Sequence, residues 1–433
     1  MSAAGDVDAR PVRTPPVRGR WGLWAERDFR RLWIGETTSG LGTAVGEVAL
    51  TLVAVGTLRA SPFMVGVLTA SAWLPWLFIG LSAGAWVDRW PRRRVMLISD
   101  LALLVLFAGV PVAAWTGVLT VWQLVAVAFL AGAVKVFFST AYRAMLPSVV
   151  AGPDLLEANV KLQSASAAMD VAGPGVAGVL AQVFGAVTGV LLDACSYLVS
   201  AFCLTLIDAR EEPPATTGRR GIRREVAEGV RFVVGDPYLR TLAGFAGLGN
   251  LGLSGLQAVQ TVFLVRSVGL RPGGVGVVFA VVSVGGLVGA AIAGRIAGRF
   301  GTARGLLLCE LCGAPFLLLV PFAGRWLPLP LCVLAWAVAV GGVVAGNVVT
   351  SSFYQTYCPP GMLGRITSCS STIGYGAMPL GALLGGFLGE ELGSRTAAWS
   401  MAGVVLAAGL LLLASPIRAL RDLPKRQEYL SEG

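Results

Sequence analysis

No histidine occurs anywhere in the 433 residues. The side chain that most readily carries protons near neutral pH is therefore missing, and any proton chemistry falls to carboxylates. Charge is also scarce. Asp, Glu, Lys and Arg make up 13% of the chain, whereas about a quarter of an ordinary soluble domain is charged. Lysine is confined to positions 135, 161 and 425. No phosphate-cradling loop of the form G-x-x-x-x-G-K followed by Ser or Thr is present, so ATP is not an energy source held within this sequence. Cys309 and Cys312 form a CxxC, but inside an apolar run and without any histidine. They read as buried small residues, like most of the other cysteines, and not as a redox or metal pair. With no nucleophile–base or metal-ligand constellation in view, neither an enzyme nor a cofactor nor a metal is expected.

What the chain does have is apolar sequence. Hydrophobic residues make up 55% and the mean hydropathy is +0.74. Twelve apolar segments, each long enough to cross a hydrocarbon core of about 30 Å, are predicted near 29–55, 62–87, 95–115, 119–146, 158–183, 185–207, 238–265, 273–296, 303–322, 327–353, 366–388 and 396–413. The 57 glycines suit helices packed closely inside a membrane. The expected fold is an all-α integral membrane protein with six-helix bundles at 29–207 and 238–415. Residues 1–28 read as a disordered cytoplasmic tail, not a secretory signal, and 416–433 as a second cytoplasmic tail. Residues 208–237 read as a cytoplasmic linker. Within it Ile222, Val226, Val230, Val233 and Val234 recur at helical spacing beside Arg223, Arg224, Glu225, Glu228 and Arg231, the pattern of an amphipathic helix on a membrane surface. The net charge of +10 is topology charge and not a nucleic-acid footprint: 28 of the 34 basic residues fall on one side of the scheme, 5 on the other, and Lys135 lies within a span. That bias puts both termini in the cytoplasm.

Between the second and third segments stands Gly84-Ala85-Trp86-Val87-Asp88-Arg89-Trp90-Pro91-Arg92-Arg93-Arg94. Pro91 stops the helix, and the arginines hold the turn at the cytoplasmic face. Shifted by 210 residues, Gly84, Arg89, Trp90 and Arg94 fall on Gly294, Arg299, Phe300 and Arg304, and Asp100 falls on Glu310. Asp88 falls on Gly298, so the second copy is degenerate. Two halves repeating in one orientation imply a parallel duplication about an axis along the membrane normal, with a solute site at their interface.

The first copy resembles the signature of the major facilitator superfamily between its second and third helices. Gly173-Pro174-Gly175-Val176-Ala177-Gly178 resembles the helix-five signature of its antiporters, with Ala177 at the first of two final glycines. The resemblance runs from Trp21 to Pro416 and points to the proton-coupled drug and siderophore efflux branch. It implies a monomer in a bacterial inner membrane that rocks its halves by alternating access, with protons moving in as a small amphipathic drug, siderophore or natural product moves out. A nutrient importer or facilitator of the same fold, and a transport-silent receptor or scaffold, remain open.

Charges inside membrane segments are costly enough to need a cavity or a partner. Glu36 and Glu47 are eleven residues apart, which at 100° per residue puts them within about 20° on one helix face. They are the first candidates for proton coupling, ahead of Asp170. The resemblance implies that helices one, four, seven and ten line the cavity, which makes Lys135 the natural opposite charge to Glu36 and Glu47. Lys135 and Asp170 also each lie twelve residues from the inner end of their helices, at one expected depth, able to pair. Asp193 is assigned a structural role. The resemblance implies a cytoplasmic charge network of Asp88, Arg89, Arg92, Asp100 and Arg143 that holds the outward-open state, with Glu310 and Arg365 as the second half's pair. Candidates to line the substrate cavity are Lys135, Phe138, Tyr142, Asn250, Gln257, Gln260, Trp336 and Asn347. Gly173, Pro174 and Gly178 are expected to give a bend and close packing, not chemistry. Two solute classes compete: a lipophilic cation countered by Glu36 and Glu47, or an anionic, catecholate-like compound held by Lys135.

Overall fold

A long apolar segment shielded from water must satisfy its own backbone groups, and for a single segment the helix alone does so. The computed structural model describes residues 22–87, 89–150, 154–207, 230–358 and 363–424. Among them are twelve long helices. These are α1 (Arg27–Leu52), α2 (Pro62–Val87), α3 (Arg92–Trp115), α4 (Val121–Val149), α5 (Leu155–Val183), α6 (Ala186–Thr205), α7 (Pro237–Val262), α8 (Pro272–Phe300), α9 (Thr302–Leu317), α10 (Leu329–Tyr357), α11 (Leu363–Glu391) and α12 (Ser394–Leu413). Eleven of them are long and apolar enough to cross a membrane. The twelfth, α5, has 29 residues, but Glu157, Lys161 and Asp170 dilute its hydropathy. Asp88, residues 1–21 and 425–433 and most of the linker lie outside the described residues. The inner parts of both expected tails, by contrast, are ordered, with short helical turns at Gly22–Ala25 and Pro416–Ala419 and with Leu23, Ile417 and Leu423 buried. Residues 230–235 of the linker are helical, with Val233 buried against the second half and Val230 and Val234 exposed.

Local chemistry sets many of the ends. Thr120 and Gln123 form a reciprocal capping box at the start of α4. Asp236 accepts hydrogen bonds from the Tyr238 and Leu239 amides at the start of α7. Prolines 62 and 272 open α2 and α8, where their missing N–H costs nothing.

The repeat is visible in the helix boundaries themselves. Adding 210 to the limits of α1 gives the limits of α7, and the starts of α2 and α3 map onto those of α8 and α9. Even the irregularities recur: α1 ends in a π-helical turn at Val53–Thr57, and α7 in one at Phe263–Ser267. In the first half α1 packs on α5 and α6, α2 on α4, and α3 on α4 and α6. The second half repeats the scheme, with α7 on α11 and α12, α8 on α10, and α9 on α10 and α12. The halves meet where α2 packs on α11 and α5 on α8.

These two seams close at the end of the molecule opposite the start of α1, here called the far end. A Cβ added to Gly178 of α5 would lie 2.8 Å from the Cα of Gly276 in α8, and one added to Gly66 of α2 would lie 2.9 Å from the Cα of Gly386 in α11. Each pair is the symmetry counterpart of the other. Only glycine lets backbones approach so closely. The apolar cores also merge there: Leu52 and Ala181 of the first half join a second-half cluster, and Val262 joins a first-half cluster. At the terminal end each half keeps a core of its own, around Phe29, Met96 and Met145 in one and Leu239, Leu306 and Phe353 in the other.

Candidate substrate cavity

Between the halves lies a cavity of about 760 Å³, within the range of small-molecule sites. The first half supplies Glu36, Thr43 and Glu47 from α1, Asp100 from α3, Lys135 and Phe138 from α4, and Asp170 from α5. The second half supplies Asn250, Gln257 and Gln260 from α7, Phe279 from α8, Trp336 from α10 and Met378 from α11. Among the described residues, every charged one on the wall belongs to the first half, and the second contributes amides, hydroxyls and apolar surface. Asn250, Gln257 and Gln260 have no hydrogen-bond partner among the described residues, so their amides are available to a solute.

The helical periodicity of α1 does place Glu36 and Glu47 on one wall. Lys135 Nζ stands 3.6 Å from Glu47 Oε1, so of its expected partners, the glutamates of α1 and Asp170, it meets a glutamate. Asp170 is exposed to the cavity. Relative depth, read from distances to helix ends, does not fix the azimuth of two helices about their axes, and α4 turns its lysine towards α1. Tyr142 and Asn347 fall outside the lining. Tyr142 stacks on Phe138 at 6.4 Å, and Asn347 is exposed. Phe138, Asn250, Gln257, Gln260 and Trp336 all line it.

Asp193 is buried in the seam between α6 and α1. A Cβ on Gly46 would lie 2.2 Å from its Oδ2, and one on Gly42 would lie 2.0 Å from Ser196 Oγ. The neighbouring Tyr197 hydroxyl is 3.0 Å from Thr43 Oγ1 and reaches the cavity wall. The residues that sequence reasoning passed over here, Trp76, Tyr197, Phe279 and Met378, carry no periodic signal of their own. Trp76 alone had a different cue, its place in a Trp-Leu-Pro-Trp run in mid-helix.

Arginines of the basic turn and of α1 hold helix ends. Arg92 Nη1 donates to the Ala144 carbonyl at 3.0 Å, and Arg93 Nε donates to the Leu204 carbonyl at 2.8 Å, with Nη2 on Thr205. Arg31 donates to the Leu206 carbonyl and pairs with Asp28 at 3.0 Å. These arginines cap the carbonyl ends of α4 and α6, where the helix dipoles favour cations. Arg89 and Arg143 are exposed. Asp100 is buried in the cavity wall, and its counterpart Glu310 is buried against Gly346 of α10. Asp88 and the Arg365 side chain lie outside the described residues. In α5 the helix-five motif serves packing: Gly173 abuts Ala44 of α1, and Gly178 abuts Gly276 of α8.

The family model described as transmembrane secretion effector, a branch of the major facilitator transporters, matches residues 19–429. The chain belongs to that family. It is therefore a multi-pass membrane transporter and not an enzyme. The multidrug efflux pump Tap of Mycolicibacterium fortuitum is 28% identical over 401 residues, covering 89% of this chain and 94% of Tap. Among solved structures, the nucleoside transporter NupG superposes with a TM-score of 0.75 at 12% identity, covering 89% of this chain and 99% of NupG. A bacterial homologue of the iron transporter ferroportin superposes at 0.70 in its inward-facing state (17% identity, covering 90% of this chain and 98% of that one). In its outward-facing state the score is 0.58 (18% identity, 91% and 100%). These likenesses show that the chain shares the fold of those transporters.

Proposed function

We propose that this transporter exports a small amphipathic cation across the bacterial inner membrane in exchange for protons, by alternating access, with both termini in the cytoplasm and the far end outside. One observation carries the reading: four acids and one lysine line a closed-ended cavity, all on one half, opposite uncharged amides and aromatic rings. A solute with a cationic head and an apolar body meets both surfaces at once. Glu36 and Glu47 take the coupling role, with Asp170 third. A carboxylate that binds either the cation or a proton, but not both, couples the two flows without any further part. Export, and not import, is supported by the efflux pump named among the relatives.

The test is transport by the purified protein in liposomes holding a pH-sensitive dye, screened against lipophilic cations and iron chelators. Solute-dependent proton movement that disappears in Glu36→Gln or Glu47→Gln is the expected result. Solute flux with no proton movement would make the protein a facilitator and its acids structural. Absence of flux with every compound would favour a receptor or scaffold. An anionic, siderophore-like solute is the competing class: it requires Lys135, so loss of anion handling in Lys135→Ala with cations unaffected would replace the cation reading.

A further inference from the structure

Beside the main cavity, within the first half, is a side chamber of about 150 Å³. Six residues belong to both spaces and form its mouth: Glu47, Thr51, Thr69, Trp76, Lys135 and Gln257. Beyond the mouth the walls are Leu50, Leu68, Trp73, Phe107, Ala128 and Ala131, and no charged or hydroxyl-bearing residue occurs among them. Leu50, Leu68, Phe107, Ala128 and Ala131 are buried in the helical bundle. Trp73 and Trp76 are braced from the other half by Tyr375, which stacks on Trp73 at 5.8 Å and tilts against Trp76 at 5.6 Å. At the mouth, Glu47 of α1 and Gln257 of α7 occupy equivalent positions of the repeat, 210 residues apart.

We propose that this chamber is a ring subsite, which takes one aromatic ring of an aryl-ammonium solute while the cationic nitrogen stays at the mouth beside Glu47. The proposal rests on the cation reading above and specifies its solute. Size argues for no more than a single ring, because the chamber and its polar mouth together hold about 150 Å³, the volume of an apolar cavity that accepts benzene. Chemistry argues for an aryl group, because a recess walled by tryptophan, phenylalanine and aliphatic side chains offers no partner to a polar one. Placement argues for a cation next to the ring, because polar groups occur only at the mouth, where a carboxylate and the Trp76 indole both attract positive charge. Lys135 also stands there, so the bound nitrogen competes with it for Glu47.

The experiment is equilibrium binding of benzyltrimethylammonium and of tetramethylammonium, its ringless counterpart, to the full-length protein in lipid nanodiscs. Wild type is compared with Ala131→Leu, which fills the chamber, and Ala131→Ser, which does not. The expected result is a wild-type preference for the aryl probe that falls about tenfold or more in Ala131→Leu, the loss that a benzene-sized apolar surface left in water carries. Tetramethylammonium affinity should be unchanged, and Ala131→Ser should keep the preference. Should Ala131→Leu fail to fold, Ala131→Val and Ala128→Val fill the same space by smaller steps and should lower the preference in the same direction. An aryl preference that survives filling, equal weakening of both probes, or no aryl preference in wild type overturns the ring subsite while leaving the cation reading intact. A wild-type protein that binds neither probe overturns both.

Discussion

Lys135 sits 3.6 Å from Glu47 in a cavity whose other charged residues are all acids. Its cost to a cationic solute is repulsion, about 1–2 kcal/mol at an effective dielectric near 20 and a separation of about 8–16 Å. Lys135→Ala should therefore tighten cation binding by several-fold, measured as Kd for a lipophilic cation. Arg93 makes a different kind of contribution. Its guanidinium adds hydrogen bonds to the last carbonyls of α6, Leu204 and Thr205, where the helix runs out of regular backbone donors. Arg93→Ala should lower stability by about 1.5–3 kcal/mol, as expected for lost hydrogen bonds to a charged group, read as a fall in the melting temperature in detergent. At this scale the sequence was informative wherever one helix sufficed. Glu36 and Glu47 share a face by periodicity alone, and both reach the cavity. Which of its expected acids the lysine meets was not legible, since that depends on how α4 is rotated against α1 and α5. Nor was the full burial of Asp193, which needs Gly46 on α1 to leave room for it.

Helices α2, α5, α8 and α11 form the joint between the halves, and glycine pairs set how closely they come together. Gly178→Val and its counterpart Gly386→Val would drive a side chain into opposing backbone that cannot give way. Such overpacking costs about 1–3 kcal/mol, which shifts an equilibrium between closed and open far ends by about 5–150-fold. The expected outcome for either variant is faster thiol labelling of cysteines introduced at the far-end mouth. An unchanged labelling rate would assign the glycines to folding and not to the transport cycle. The turns beside these helices follow a related rule. Arg59 has φ 50°, and Gly269, its counterpart 210 residues on, has φ 81°. One backbone turn is thus kept in both halves, although only one of them has the residue that adopts it without strain.

At the scale of the molecule, merged cores at the far end and separate cores at the terminal end describe a pair of rigid halves hinged at one side. Rocking them must close the terminal end as the far end opens. Nitroxide labels at Val160 of α5 and Ile292 of α8, both exposed and on different halves, report on that closure. The distance distribution in nanodiscs should gain a shorter component in the Gly178→Val background, and again when a transported cation is added with a proton gradient. A distribution that ignores both would contradict rigid-body rocking.

What the sequence determined by itself was the number, order and period of the helices. Apolar runs, a basic turn and a 210-residue repeat are all local or translational patterns. A membrane segment has few ways to satisfy its backbone other than the helix, so those patterns translate directly into architecture. Tertiary structure alone decided which residues meet. The seal at the far end, the placing of every charge on one half of the cavity, the Glu47–Lys135 pair and the side chamber behind it all depend on helix rotation and depth. Those are set by close packing of many small side chains at once, a condition that no single stretch of sequence contains.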